Sequence, residues 1–343
     1  MNIYSLLRLY TKIQNRRIKA FGLIVLHIFH RRYTCMFLDP IEACNLRCRM
    51  CYFSDMERRK SMRGMFSSAD LEAWGRSVFP HLLKLQIGCG AEPTLYKSLP
   101  DIVKMGREYG VPYISITTNG NLLDFSKLDE LAKSGLNELT LSLHGIKKST
   151  YEYFMQGAKF EKFLDVVEAL KAIKKLYPSF KIRVNYTVNE DNVEDLADFQ
   201  QLFDGLQLDV VQLRPVQDLG DSDYKNFSMD KVLACYESHL LKVVDYCDKH
   251  DTVCLYPSRE NILSLMTHTE EENTNHTNNA VDLIPHLYAA PWENWKEQFD
   301  PYKESFYGYC RRTHRLSHLW SCVFSVKSKK QEETTKSMNY QIK

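Results

Sequence analysis

The chain has 343 residues, 44% of them apolar and 26% charged, with a formal net charge of +2. It exceeds one average domain and carries enough apolar sequence for a sizeable core, which excludes wholesale disorder. The near-neutral balance argues against an extended polyanion such as nucleic acid as partner, leaving only local basic patches.

Ten cysteines lack the spacing of a small secreted disulfide framework. No leader with a small-residue cleavage site follows the apolar stretch near the start, so a cytoplasmic location is expected and clustered thiols read as metal ligands. The first 34 residues contain seven basic side chains and no acid. Leu6, Leu7, Leu9, Tyr10 and Ile13 interleave with Arg8, Lys12, Arg16 and Arg17, predicting a basic amphipathic helix. The run FGLIVLHIF (21–29) is strongly apolar but too short to span a bilayer. Segment 1–32 therefore reads first as a helix closing one end of the domain. Peripheral contact with an anionic membrane surface is the second reading.

From residue 33 the pattern alternates. YTCMFLDP (33–40) reads as a strand entering a cysteine loop. Ser67 or Ser68 caps a helix to about Phe79, with Leu71, Trp74 and Val78 on one face and Pro80 ending it. Strands follow at 83–88, 113–118, 138–143, 181–188 and 209–213. Helices are expected between them at 99–109, 125–133, 150–155, 160–175 and 193–203. Six strands separated by helical sequence imply a parallel α/β sheet with right-handed crossovers, either open or a partial barrel. After Pro215 the rhythm stops. One long helix is expected at 229–250 and a second at 259–268, then a polar loop at 269–279, aromatic-rich sequence at 287–309 and a polar tail from Lys327.

The chemistry lies in the first loop, Cys44-Asn45-Leu46-Arg47-Cys48-Arg49-Met50-Cys51. Three thiolates in eight residues can wrap one side of a cubane cluster, each sulfur on its own iron, leaving a fourth iron open to a small molecule. Structural zinc normally takes a second ligand pair. None lies nearby, and His27 or His30 would have to supply a fourth ligand from upstream.

The segment CNLRCRMCYF resembles the cluster loop of the radical S-adenosylmethionine (SAM) superfamily, and the resemblance runs over residues 33–216. It implies a partial (β/α)6 TIM-type barrel and a [4Fe–4S] cluster held by Cys44, Cys48 and Cys51. SAM would chelate the open iron through its amino and carboxylate groups. Reductive cleavage then gives methionine and a 5′-deoxyadenosyl radical that abstracts hydrogen from substrate, with a reductant such as flavodoxin or ferredoxin as electron source. GCGAEP (88–93) resembles the family's GGEP motif and assigns Gly90, Ala91 and Glu92 to the methionyl group. TTNG (117–120) and LSLHG (141–145) resemble two further family strand ends and assign Thr118 and Ser142 to the ribose and carboxylate. Gln156 stands where several relatives place an arginine for the SAM carboxylate. Asn185 is carried over for ribose, Leu213 for adenine, and Met50 for adenine through its backbone. A strand-end polar residue can instead cap the following helix.

The C-terminal region resembles proteins with a SPASM or Twitch extension, the stretch from Cys310 to Cys322 matching its opening. A later CxxC-type group is absent, so no second cluster is expected, and Cys235 and Cys247 read as core thiols. An intact extension would imply a peptide substrate. The domains expected are 1–32, a core at 33–216, an extension at 217–326 and a tail at 327–343. The loop 214–223, with Asp218, Asp221 and Asp223, reads as a solvated turn or a substrate-lining element. The expected function is hydrogen abstraction by a radical SAM enzyme. A catalytically silent cluster- or SAM-binding relative and a zinc-bound interaction module are the rivals.

Overall fold

The computed structural model describes residues 13, 15–217, 222–267, 284, 286–324 and 340–342. Its centre is a parallel sheet. The six expected strands form as β1 (Thr34–Leu38), β2 (Leu82–Ile87), β3 (Tyr113–Thr118), β4 (Glu138–Leu143), β5 (Lys181–Val188) and β6 (Val210–Pro215). They lie side by side in chain order, every ladder parallel.

Strand β5 shows why this segment becomes a strand. Ile182, Val184, Tyr186 and Val188 are buried, while Lys181, Arg183, Asn185 and Thr187 between them are half-buried. Alternation of period two gives one apolar face for the covering helices and one polar face for the concave side. Those helices are α2 (Ser68–Val78), α3 (Leu99–Glu108), α4 (Phe125–Lys133), α5 (Lys148–Phe154) and α6 (Phe160–Leu176). A capping box starts α2: Ser67 Oγ accepts from Asp70 N–H, and the Asp70 carboxylate accepts from Ser67 N–H, each at 3.1 Å. Leu71, Trp74 and Val78 are buried, as their spacing requires.

Three expectations change. The sheet does not end after Pro215: β7 (Val253–Pro257) pairs parallel with β6, and β8 (His286–Ala289) pairs parallel with β1. A short β9 (Tyr340–Ile342) runs antiparallel on β7, so the order is β8-β1-β2-β3-β4-β5-β6-β7-β9. The fold is α/β of the partial TIM-barrel type, but the region after 217 contributes strands as well as helices. Second, the helix expected at 229–250 is broken into Asp230–Ala234, a π turn at Tyr236–Leu240, and α7 (Leu241–Lys249). Buried positions at Val232, Tyr236 and Leu240 recur every four residues, wider than the 3.6 of an α-helix, and the π turn absorbs the excess. Third, 193–203 is mostly a 3-10 helix. The Asn192 amide just before it donates to the carbonyls of His144 at 3.0 Å and Thr187 at 2.8 Å, a local side-chain bond that competes with regular helix.

At the other end of the sheet, α1 (Arg16–Ile28) buries Ala20, Leu23, Ile24 and His27. Arg32, just after it, donates to the carbonyls of Phe79, Leu82 and Tyr109 at 2.8, 3.2 and 2.7 Å, closing the start of β1 against the start of β2. Two C-terminal helices, α8 (Phe306–Arg312) and α9 (Arg315–Phe324), complete this end, and α9 packs along α1. Among the described residues no helix is long and apolar enough to cross a membrane. The amphipathic pattern at 6–12, Asp218, Asp221, the polar loop at 269–279 and the tail from Lys327 to 339 lie outside the described residues.

Candidate functional site

The strand C-termini gather the residues singled out by motif. β1 feeds the cysteine loop, whose turns close on themselves: Cys51 N–H donates to the Cys48 carbonyl and Ser54 N–H to the Cys51 carbonyl, both at 2.9 Å. A two-residue antiparallel ladder sets Arg47 opposite Gln156 and Cys48 opposite Met155, so the segment around Gln156 braces the loop through its backbone. Arg59 donates to the carbonyls of Cys44 at 3.0 Å and Leu46 at 3.4 Å. Leu46 N–H is directed at Cys44 Sγ, 3.4 Å away.

Burial pushes the Cys44 thiol up to about 12 and lifts Cys48 and Cys51 in the same direction. After burial, the next causes at Cys48 are its neighbours Cys44 and Cys51, so the sulfurs act on one another. A desolvated group of sulfurs is stabilised as thiolates by a multiply charged cationic centre. Among the described residues no three His, Cys, Asp or Glu side chains converge tightly enough for one ion. A cubane asks for no such convergence, because each thiolate meets a different iron. The donor set therefore fits a cluster with one unligated iron.

Two buried carboxylates organise the loops around it. Asp39, at the end of β1 and 1% exposed, accepts from the backbone N–H groups of Cys89 at 2.8 Å and Gly90 at 2.9 Å. It also accepts from the Tyr288 hydroxyl of β8 at 2.8 Å. Burial raises its pKa against these bonds. The Tyr52 hydroxyl donates to the Gly90 carbonyl. A Cβ on Gly90 would sit 2.6 Å from that hydroxyl and 3.2 Å from the hydroxyl of Tyr288, so this cradle admits only glycine without rearrangement.

Glu92, 2% exposed, is the second organiser. Its Oε1 accepts from Thr94 N–H at 3.1 Å, Thr94 Oγ1 at 2.5 Å and Thr118 Oγ1 at 2.6 Å; its Oε2 accepts from Asn119 N–H at 2.8 Å. Asn119 Nδ2 continues to Asn45 Oδ1 at 2.9 Å, and Glu92 N–H donates to the Ala43 carbonyl at 2.9 Å. The three loops at 42–53, 88–95 and 117–121 are thus one hydrogen-bonded unit.

The other expected contacts divide by face. Ser142, Asn185 and Gln212 are direct neighbours across β4, β5 and β6, on the polar side. Arg183 donates to Asn185 Oδ1 at 2.8 Å and also to Gln212 Oε1. Leu213 turns the other way and is fully buried beside Tyr186. Met50 is buried, with Asn189 Nδ2 donating to its sulfur at 3.1 Å. The Thr118 hydroxyl, directed at Glu92, also accepts from Gly120 N–H at 3.1 Å. Ala91 adds a backbone N–H to Asp39. Asp223 N–H donates to Ser54 Oγ at 3.0 Å, which sets Asp223 against the end of the cysteine loop.

Asp39, Tyr288 and His144 were not singled out from the sequence. An aspartate directly before Pro40 at a strand end was the available signal for the first. Tyr288 had none, because its strand was not expected. The His144 ring lies within the LSLHG stretch and its Nδ1 is buried without a hydrogen-bond partner. Burial, then the nearby Arg214, lowers its pKa to about 4.

Residues 38–201 match the radical SAM superfamily. This chain contains a radical SAM domain. The superfamily's cofactors are a [4Fe–4S] cluster and SAM, which the donor set above accommodates. The chain is similar to GTP 3′,8-cyclase of Chlorobaculum tepidum, 25% identical over 203 residues that cover 59% of this chain and 60% of that protein. It is also similar to Fe-coproporphyrin III synthase of Methanosarcina barkeri, 28% identical over 159 residues that cover 45% of this chain and 36% of that one. The crystal structure of Streptococcus suis SuiB superposes with a TM-score of 0.54 at 16% identity, covering 75% of this chain and 58% of that one, a likeness of fold. The matched part spans no more than about three-fifths of the length of any of these proteins.

Proposed function

We propose that the chain is a radical SAM enzyme in which Cys44, Cys48 and Cys51 ligate the cluster, while Gly90 and Ala91, with Ser142 and Asn185, hold SAM over the strand C-termini. The observation that carries this is the hydrogen-bonded unit joining the cysteine loop to the 88–95 and 117–121 loops through Glu92 and Asn119. Held by Cys44, Cys48 and Cys51, the cluster would supply the electron for reductive cleavage of SAM, and SAM would supply the hydrogen-abstracting group.

The chain's own residues hold and orient. Asp39 and Glu92 fix the glycine-rich bend without presenting themselves to a ligand, since their oxygens are occupied by protein donors. That assigns Glu92 and Thr118 as positioning residues. Ser142 and Asn185 are half-buried on the polar face, where a hydroxyl and an amide can reach a ribose. Gln156 can offer a hydrogen bond beside Arg47 but no bidentate ion pair. Water exclusion falls to Tyr52, Phe53 and Asp223, which is bonded to Ser54.

The substrate enters over the strand C-termini, beside the concave face carrying Lys84, Arg183 and Gln212. The two curated relatives described above are named for different reactions, so SAM cleavage is the shared step. A peptide substrate would draw on a SPASM- or Twitch-like extension. The two cysteines that suggest one are held elsewhere, Cys310 against the Tyr33 hydroxyl at 3.7 Å and Cys322 by Arg16 at 3.5 Å. Anaerobic reconstitution with iron and sulfide, then dithionite, is expected to release 5′-deoxyadenosine from SAM. Cys48→Ala is expected to lose both bound iron and that product. Normal SAM cleavage by Cys48→Ala, or stoichiometric zinc without iron or sulfide, overturns the assignment.

A further inference from the structure

The concave side of the sheet is one continuous surface by register. Lys84 on β2 lies opposite Tyr113 on β3, and Ser115 of the same strand lies opposite Glu138 on β4. Thr140 then lies opposite Arg183 on β5, and Asn185 opposite Gln212 on β6. Residues in register across a ladder share a side, as do alternate residues along a strand, so Lys84, Glu138, Arg183 and Gln212 face the same way. Side-chain bonds trace the same surface. Ser115 Oγ donates to Gln86 Oε1, the Tyr113 hydroxyl to Glu138 Oε2 and Arg183 Nε to Asn185 Oδ1, each at 2.8 Å. The residues of opposite parity, such as Leu85, Ile114, Leu139 and Val184, are fully buried under the helices.

Two cations on this surface lack an acid. Lys84 is half-buried; its ammonium lies 5.7 Å from the Tyr113 ring centroid and makes no hydrogen bond or ion pair among the described residues. Burial lowers its pKa, with Glu138 opposing that shift and Arg183 adding to it. Two strands separate β2 from β5, so Arg183 acts on Lys84 across the concavity and not along a ladder. Arg183 is half-buried too, and its bonds go to the neutral amide oxygens of Asn185 and Gln212. They orient the guanidinium and leave its charge uncompensated. Glu138 is bonded to Tyr113 and paired with neither cation. Lys181, on the same face, is by contrast paired with Asp209 at 2.9 Å.

A cation withdrawn from bulk water without a counter-charge is costly, and an anion that enters recovers that cost. Lys84 stands near the start of β2, well before the 88–95 bend, and Arg183 precedes the SAM-facing Asn185 on β5. Both therefore lie deeper in the concavity than the groups assigned to SAM. Resting on the SAM-enzyme reading above, we propose that Lys84 and Arg183 bind an oxyanion of the substrate, a carboxylate or a phosphate. The pair sets selectivity: a negatively charged substrate is held, whereas a neutral analogue leaves both cations desolvated and unpaired.

The test is calorimetric titration of the reconstituted, SAM-loaded protein under argon with inorganic phosphate and, separately, with succinate. At least one is expected to bind, and Lys84→Met or Arg183→Gln is expected to weaken it at least about tenfold. Lys84→Arg, which keeps the charge, is expected to bind more tightly than Lys84→Met. Preference for phosphate marks a phosphorylated substrate and preference for succinate a carboxylated one. Reconstituted iron content shows that each variant is folded, and Arg183→Gln carries the test where Lys84→Met loses iron. Failure of both anions to bind wild type, or undiminished binding by both charge-removing variants, overturns the proposal. So does a parallel loss of SAM affinity in Lys84→Met at full iron content, because the ammonium would then serve the SAM carboxylate. The enzyme reading fails separately, by absence of 5′-deoxyadenosine release from wild type whatever the anions do.

Discussion

Replacing Glu92 by glutamine separates a positioning role from a ligand-binding one. The wild-type carboxylate takes three donors on Oε1 and Asn119 N–H on Oε2. In Glu92→Gln the amide oxygen can keep the three donors only by turning the amide nitrogen toward Asn119 N–H. One charge-assisted bond worth about 1.5–3 kcal/mol is lost, and one buried N–H is left unpaired at about 1–3 kcal/mol. Against this, burial already raises the Glu92 pKa, so a neutral side chain recovers part of the desolvation cost. The net is about 3 kcal/mol, or about 6 °C in Tm for a chain of this size.

The assay is thermal unfolding of the metal-free protein under reducing, anaerobic conditions, with iron content after reconstitution measured separately. Thr118→Val removes one of the same donors, and the double variant should show coupling of about 1 kcal/mol because the two side chains share a bond. Iron content should fall too, because Glu92 N–H on the Ala43 carbonyl and the Asn119 to Asn45 bond connect this carboxylate to the cysteine loop. A Glu92→Gln protein whose metal-free Tm lies within about 1 °C of wild type, with SAM affinity alone reduced, refutes the reasoning. It would return Glu92 to the ligand-contact role its motif suggests.

Gly88 has φ of +79°, and a Cβ there would lie 2.4 Å from the Thr117 carbonyl oxygen, so backbone must shift. Gly88→Ala is expected to cost at least about 2 kcal/mol by chemical denaturation; a loss below about 0.5 kcal/mol contradicts the geometry. Stability should also fall in acid. His81, stacked on Phe306 with centroids 4.7 Å apart, and His144 are both lowered to about 4, chiefly by burial. The unfolded chain takes up these protons near pH 6.5 and the folded one only near 4. Their contribution is therefore complete above 6.5 and lost as pH falls from 6.5 to 4. His144 accounts for about 3 kcal/mol of that slope at most; His81, partly solvated, adds about 1 kcal/mol after allowance for screening. Urea unfolding at pH 7 and at pH 4.5 measures the slope, and His81→Phe, which keeps the stack, should flatten it. An unchanged slope in that variant counts against the assignment.

Strand periodicity was legible wherever both faces of a strand had a fixed fate. In β5 the residues facing the helices are apolar and those facing the concave side are polar, so the alternation survives in the sequence. Strands β7 and β8 escaped notice because they are short: VCLYP ends in proline, and HLYA alternates over only four residues. Their identity comes from docking at the open edges beside β6 and β1, a tertiary fact.

The site divides along the same line. Thiol spacing is a local property, so the grouping of Cys44, Cys48 and Cys51 in one loop after β1 could be read directly. A strand-end hydroxyl such as Thr118 suits a sugar or a carboxylate equally well. Its partner was decided by Glu92, which sits in a loop after a different strand. Asp39 is the same case, since the backbone donors it holds arrive 50 residues later. Both carboxylates are spent on protein N–H and O–H groups, and that fixes the geometry of the glycine-rich bend before any ligand arrives. At Gly88 a Cβ would meet the Thr117 carbonyl oxygen, so backbone must move, whereas at Gly90 it would meet the Tyr52 hydroxyl, which a side-chain movement relieves; Gly88 is therefore the stricter glycine of the bend.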